Sequence, residues 1–473
     1  MTALAAVAAW LQPALVAALA FRVTAGEADA PWLALAALVA PLVALLARGR
    51  SPASNPVTAA VAALAVTLVL AADFLLAAEA ATLLGAPRWQ GVVLAALPAV
   101  IVAVWPAVGR MSPGALAAAA GALLLAPAAV ALAAGSPLTA WQRSGMRPVL
   151  TFASESPWVT AGERFARPTT LRFAEGQRVV VLTTGLYRVV ERDVAPPIVR
   201  EWRLTAGEAL TLRPGDELGV EAGARLRFEA GRRVPGAPAS GIAWADATAR
   251  GPGMLPVAAG AVVTLVGGAL ALVPAARRGR AAAAGPLVLL VSVTAALAWG
   301  VYAAGAPDLV LTGALSAPLL RLPALALGPS AAPLAWLTGL ALVLMLATAS
   351  MALRQRLAAS ASDALELWVG AVLVATALAV WPLDPWRVLM LGLGLAAAAW
   401  APARLATSTA GALAGPIVGG VAFVALAALP AVAPGAPAWL DALARYPALV
   451  AMPLGWLAAR AMPPDGEGVG PTG

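Results

Sequence analysis

The sequence predicts a polytopic α-helical membrane protein of about 12 spans, five before and seven after an inserted extracytoplasmic all-β domain of sandwich or jelly-roll-like type. Three observations predict it. The 473 residues are 61% hydrophobic and only 11% charged, with a mean hydropathy of +0.86, whereas soluble proteins carry about 25% charged residues. Of 31 basic and 23 acidic residues, 28 (16 Arg and 12 Asp or Glu) fall between Ser136 and Pro252, so the chain has an apolar regime and a charged one. Within the charged stretch, glycines at 207, 215, 223 and 231 recur every eight residues.

Apolar runs long enough to cross roughly 30 Å of hydrocarbon give the first membrane domain, residues 1–135, five spans: 3–21, 31–47, 57–76, 90–108 and 114–135. The first lacks a basic leader and reads as a retained anchor. Residues 136–252 form the polar insert. The second membrane domain, 253–461, supplies seven spans: 254–275, 284–304, 332–353, 364–383, 386–403, 410–433 and 443–461. Residues 305–331 are apolar but cut by Pro307, Pro318, Pro323 and Pro329, and no piece is long enough to span. They read as a re-entrant or interfacial hairpin with Arg321 at headgroup level, or with Arg321 lining a cavity. The tail, 462–473, is polar and rich in Pro and Gly, the composition of a disordered cytoplasmic segment.

Arginine placement sets the orientation. With the N-terminus inside, ten arginines (48, 50, 110, 277, 278, 280, 354, 356, 404 and 460) fall on cytoplasmic loops, and five (22, 88, 321, 387 and 445) on the opposite side outside the insert. That bias obeys the positive-inside rule. It places both termini in the cytoplasm of a bacterial inner membrane and 136–252 outside. Trp32, Trp89, Trp105, Trp141, Trp386 and Trp439 stand near span ends, as interfacial belts require.

The insert reads as β structure. In "ARLRFE" apolar and charged residues alternate with period two, as on a half-buried strand. The ladder glycines supply turns needing positive φ. "TTLRF" and "RVVVLTTGLYRVVER" read as two stronger strands upstream. The phrase "AGEALTLRPGDELGV" resembles cupins and other jelly-roll modules over about 30 residues. A metal-dependent cupin uses His ligands, and this chain has none. In the exit loop "RRVPGAPASGIAWAD", Arg232 and Arg233 are candidates to grip an anion, and Trp244, beside Asp246, to stack on a sugar or ring. The alternative is a structural cap with Trp244 packed on the core or membrane.

Two features inside the membrane regime stand out. Residues 57–84 contain no Pro or Gly and form one helix of about 42 Å that carries Asp73 and Glu79. Intramembrane carboxylates are costly and default to ion or proton contacts. Counted from Pro56, Asp73 lies about 25 Å and Glu79 about 35 Å along the axis, which puts them at or beyond the outer hydrocarbon edge as interfacial groups. The helix resembles the acidic helices of the antiporter-like subunits of respiratory complex I. Those also rely on membrane Lys and usually His, and this chain has neither. The second feature is "TAGALAGPIVGGVAF", in which Gly411, Gly415 and Gly419 share one face for close helix packing, with Pro416 kinking the helix.

Composition also excludes. There is no Cys, His or Lys, so zinc thiolate or imidazole sites, His-ligated haem, iron–sulfur clusters, Cys nucleophiles and Ser-His-Asp triads within the chain are ruled out. No cofactor is expected. No nucleotide-binding loop, dinucleotide fingerprint or transferase signature occurs, and the net charge of +8 reflects membrane loops, not nucleic acid. The preferred reading is a non-catalytic component of a membrane complex whose outer β domain docks a partner protein or ligand, such as an anionic lipid or glycan. The alternatives are a transporter of an ion, lipid or small solute, and a membrane transferase or hydrolase using outward carboxylates.

Overall fold

The structure, a computed structural model, describes residues 7–463 apart from 26, 28, 47–54, 105–112, 146–149, 163, 193–195, 238–253, 274–283, 305–307, 312, 362 and 433–437. The first helical section comprises α1 (Pro13–Thr24), α2 (Ala30–Leu46), α3 (Pro56–Leu83), α4 (Arg88–Val104), α5 (Pro113–Ala134) and α6 (Pro137–Gly145). After the insert come α8 (Met254–Leu272), α9 (Ala284–Ala303), α10 (Asp308–Leu311), α11 (Ala317–Leu327), α12 (Ala332–Ala358), α13 (Ala364–Val380), α14 (Pro385–Leu395), α15 (Ala401–Leu405), α16 (Thr409–Val432), α17 (Ala438–Arg445) and α18 (Ala448–Arg460), α7 being a single turn, Pro157–Thr160, within the insert.

Among the described residues, six helical stretches are long and apolar enough to cross a membrane, and seven shorter apolar helices accompany them. The chain is a polytopic membrane protein. Helix starts follow the sequence closely. Pro56 and Pro385 occupy first-turn positions where no N–H is missed, while Asn55 accepts from Thr58 N at 2.7 Å and Asp384 from Trp386 N at 3.1 Å, each relieving an orphan donor. In the apolar 18-residue stretch of each crossing segment, 89% of the residues are buried for Pro385–Leu405 and 67% for α3, against 28% for Thr409–Leu429, so α3 and α14–α15 form the bundle's centre.

Two expected spans are broken. The run 3–21 is not one helix: it leaves helical geometry after Ala8 and α1 begins at Pro13, whose ring and missing N–H cannot continue a helix from the preceding turn. The run 443–461 is cut at Tyr446 and Pro447, and only Ala448–Arg460 continues. The run 386–403 is continuous but passes through a π-helical stretch, Ala396–Trp400. Segment 305–331 contains two short helices, α10 and α11, and packs within the bundle against α1, α5, α9 and α12.

The insert forms two antiparallel sheets from β1 (Thr169–Arg172), β2 (Gln177–Val181), β3 (Gly185–Glu191), β4 (Ile198–Leu204), β5 (Ala209–Leu212), β6 (Glu217–Val220) and β7 (Leu226–Arg227). The orders are β1-β6-β3-β4 and β5-β2-β7. "RVVVLTTGLYRVVER" is therefore two strands in different sheets, separated at Leu182–Thr184. β4 was not expected: "IVREWRL" does not alternate, and six of its seven residues are exposed. A long ribbon, 150–181 against 205–236, folds over so that its successive pieces join alternate sheets.

The glycine period is the register of that ribbon. Gly207, Gly215, Gly223 and Gly231 all have positive φ, from +75° to +101°. Each is the third residue of a turn closed by the flanking residues, as in Glu208 N to Thr205 O and Ala224 N to Glu221 O, the geometry of a type II turn. Each glycine N–H also crosses the ribbon, to Val181, Phe173, Phe165 and Phe152 carbonyls at 2.7–2.8 Å. Inside, Phe152 stacks on Phe228 at 4.8 Å and Trp158 meets Phe165 at 5.1 Å. Leu311 of α10 enters this core, so the helical section contributes to the insert's packing.

Candidate functional site

The bundle's central helix, α3, carries both carboxylates singled out in the sequence. The structure buries both side chains in protein: Asp73 is 2% exposed and Glu79 is fully buried. Neighbouring elements cover α3 around both carboxylates, whereas Leu64, nearer its start, is 52% exposed.

Each carboxylate meets the start of a short helix. Asp73 Oδ1 accepts from Ala14 N at 2.8 Å, in the first turn of α1. Glu79 Oε2 accepts from Leu315 N at 3.0 Å, one residue before Ser316, the N-cap of α11. Helix N-termini carry unsatisfied N–H groups and partial positive charge, so a carboxylate is a suitable partner. In both cases the second oxygen, Asp73 Oδ2 and Glu79 Oε1, is buried without a hydrogen bond. So are Ser316 Oγ and Gln12 Oε1. Gln12, 1% exposed, spends its Nε2 on Ala9 O at 2.8 Å.

Glu79 lies below the seam between insert and bundle. Arg167, just before β1, pairs with Asp384 at 2.7 Å. Arg88 donates to Ala166 O at 3.3 Å and to Trp381 O at 3.2 Å. Both guanidiniums, and the Asp384 carboxylate, act electrostatically on Glu79. Arg321 reaches Leu83 O at 3.3 Å, at the end of α3, where a cation complements the helix dipole.

A second polar hub was not foreseen. Arg22, read only as a topological marker, is 4% exposed and grips Asp29 with bonds of 2.7, 2.8 and 3.2 Å. It also pairs with Glu27 and sits 5.0 Å from the Trp386 ring. Tyr446 donates to Asp29 Oδ2 at 3.0 Å, so the break at Tyr446–Pro447 puts a donor into this hub. Trp386 is thereby buried in protein. Burial pushes the Glu27 carboxyl above its ordinary value, against the pull of Arg22. An apolar groove of about 500 Å³ opens beside Glu27, lined by Val23, Leu35, Trp141, Val293 and Leu297 among others.

At the far end of the bundle the arginines close helix C-termini. Arg356 donates to Ala271 O at 2.6 Å, and Arg404 to Val273 O at 3.0 Å and to Leu270 O, carbonyls at the end of α8 and one residue past it. Arg354 donates to Val102 O at the end of α4.

The other sequence candidates separate. Arg232 pairs with Glu229 at 3.3 Å on the surface. Arg233 is built into the insert, its N–H on Glu175 Oε1 at 2.6 Å and its Nη2 on Ala237 O at 2.8 Å. Trp244 and Asp246 lie outside the described residues, as do Trp105, residues 464–473 of the tail and the arginines at 48, 50, 110, 277, 278 and 280. Gly411, Gly415 and Gly419 face α18 and the π-helical stretch. A Cβ on Gly415 would stand 3.0 Å from Ala459 Cβ, and one on Gly419 would run into the Ala398 carbonyl.

No family model, curated protein or solved structure matches this chain. Its chemistry is read from geometry alone. Among the described residues no group of three or more acidic side chains gathers as a metal site. What the described bundle holds is a pair of half-satisfied carboxylates at two helix starts, and what the insert holds is a tightly bonded ribbon with β4 exposed at a sheet edge.

Proposed function

We propose that this protein is a component of a membrane complex and that its β insert, on the outer face, docks a partner protein through β4. The observation that carries this reading is the state of that strand. Among the described residues β4 ends its sheet and pairs only with β3, and its apolar side chains are 38–48% exposed on both faces, Ile198 and Trp202 on one and Val199 on the other, the face that Leu186 of β3 shares at 45%. An edge strand with exposed apolar side chains and a row of unpaired backbone groups is a template for another chain, while its Arg200, Glu201 and Arg203 restrict which partner fits. Addition of a partner strand would satisfy the row and bury the side chains together.

Trp202→Glu should leave the insert folded, because the residue lies outside its core, and should abolish co-purification of whichever protein accompanies the wild type from native membranes. Retention of that same protein by the variant would overturn the reading. The orientation rests on the ten-to-five arginine bias.

A second reading, transport of an ion or small solute, is favoured by the two half-satisfied carboxylates at helix starts within the bundle. Discontinuous helices whose ends meet at acidic groups are the usual framework of transport sites.

A further inference from the structure

We propose that Asp73 is a proton-binding site within the helical bundle, holding its proton on Oδ2 at the break before α1. Four observations meet there. The carboxyl is 2% exposed, and among the described residues its Oδ2 has no hydrogen-bond partner. Among those residues the one N–H that reaches it is that of Ala14, Pro13, first in α1, having none to offer. Gln12, in the same break, is fixed by its bond to Ala9 O, which leaves its Oε1 as a second buried acceptor without a donor. Two buried acceptors, one on the break and one on α3 beside it, therefore lack donors, and a hydrogen on Oδ2 turns one of them into a donor. A neutral acid also avoids the cost of burying a charge that only one backbone N–H and the positive end of α1 offset.

No neighbouring charge does that work. On the elements packed against α3, the ionisable groups are Arg22 of α1, Arg88 of α4, Arg321 of α11, Arg354 and Arg356 of α12, Glu366 of α13 and Arg387 of α14, with Arg404 of α15 nearby and Glu79 on α3 itself. Asp73 forms neither a hydrogen bond nor an ion pair with any of them. A metal ion is the weaker occupant. It would need about six oxygens, whereas two side-chain oxygens stand unpaired at the break, and the positive end of α1 points at the site. The assignment extends the transport reading without depending on it, because occupancy is measurable in a protein that carries no flux.

The test uses the full chain in membrane vesicles and a hydrophobic carbodiimide. A protonated carboxyl adds across one C=N bond: its hydrogen moves to a carbodiimide nitrogen and its oxygen bonds the central carbon, with no oxidant or reductant, and the adduct rearranges to a stable N-acylurea. Peptide mass analysis should find the adduct on Asp73, with a rate that falls about tenfold per pH unit once the acid ionises, unchanged by sodium or lithium at constant ionic strength. Protection by sodium or lithium would mean a cation site and overturn the proposal. Because the reagent must reach the group, infrared spectroscopy supplies the second measurement. The C=O stretch of a protonated carboxylic acid should be present in the wild type, absent in Asp73→Asn, shifted in Asp73→Glu and retained in Glu79→Gln. A wild-type spectrum without that band, or a band that survives in Asp73→Asn and does not shift in Asp73→Glu, would show Asp73 to be ionised.

Discussion

Glycine serves opposite purposes in the two regions of this molecule. In the β insert, Gly207, Gly215, Gly223 and Gly231 are needed for backbone conformation: φ is positive, and a Cβ at 207, 223 or 231 would meet nothing within 4 Å. In the bundle, Gly411, Gly415 and Gly419 have ordinary helical backbone and are needed for space, because a carbonyl or side chain of a neighbouring helix stands where a Cβ would go. Two mechanisms thus lie behind one residue type. Polar groups divide in the same way. The insert keeps most of its charge on the surface over an aromatic core, whereas the bundle draws charge inside and aims it at helix ends.

The sharpest way to break this comparison is Gly419→Ala. One methyl group directed at the Ala398 carbonyl must push α16 away from the π-helical stretch, a rigid contact between backbones, at a cost of about 2–3 kcal/mol. The expected outcome is a clear fall in the thermal midpoint of the detergent-solubilised protein. A wild-type midpoint would mean that the face does not hold the helices together.

Gly223→Ala tests the other half and should cost less, about 1–2 kcal/mol, the strain of a Cβ in the left-handed region. Gly223→Asn should recover much of that loss, since asparagine tolerates positive φ. In the bundle the ranking should reverse, with Gly419→Asn worse than Gly419→Ala. Denaturation of the four variants side by side reads both rankings, and equal losses for Ala and Asn at 223 would remove the conformational explanation.

The smallest effect concerns the hub. Burial holds the Glu27 carboxyl above its unfolded value, so the folded state binds this proton more tightly than the unfolded chain does. Its contribution to stability is fully present below the ordinary carboxylate range and is lost as pH rises through the raised value. Glu27→Gln should flatten that part of the pH–stability profile by a fraction of a kcal/mol, the group being partly exposed and screened. An unchanged profile would show that Glu27 does not titrate differently on folding.

Hydropathy alone located the helices well. The expected run 57–76, within a Pro- and Gly-free stretch, became α3, and 284–304 and 364–383 match α9 and α13 within a few residues, because span length is a direct demand of bilayer thickness. The glycine spacing disclosed the ribbon's turns for a similarly local reason, since only glycine takes positive φ at little cost. β4 escaped because an edge strand exposed on both faces has no alternation to read. The split between β2 and β3 escaped because Leu182–Thr184 contains none of the usual Gly or Pro turn residues. The break before Pro13 was hidden in a run whose composition stays apolar on both sides.

The environment of Asp73 and Glu79 lay beyond any such reading. α3 is apolar all round, and in a bundle the inward face of such a helix is set by its neighbours, not by its own periodicity. Sequence by itself determined the two physical regimes, the places where helices start and the positions of the ribbon's turns, all of which depend on a few adjacent residues and on transfer from water. Only tertiary structure decided that Ala14 and Leu315, distant along the chain, bring N–H groups to the carboxylates of α3, and that Arg22 gathers Asp29 and Trp386, with Tyr446 bound to the same aspartate. Those contacts join segments up to hundreds of residues apart, and their energy comes from burying polar groups against one another, a quantity that no local stretch of sequence contains.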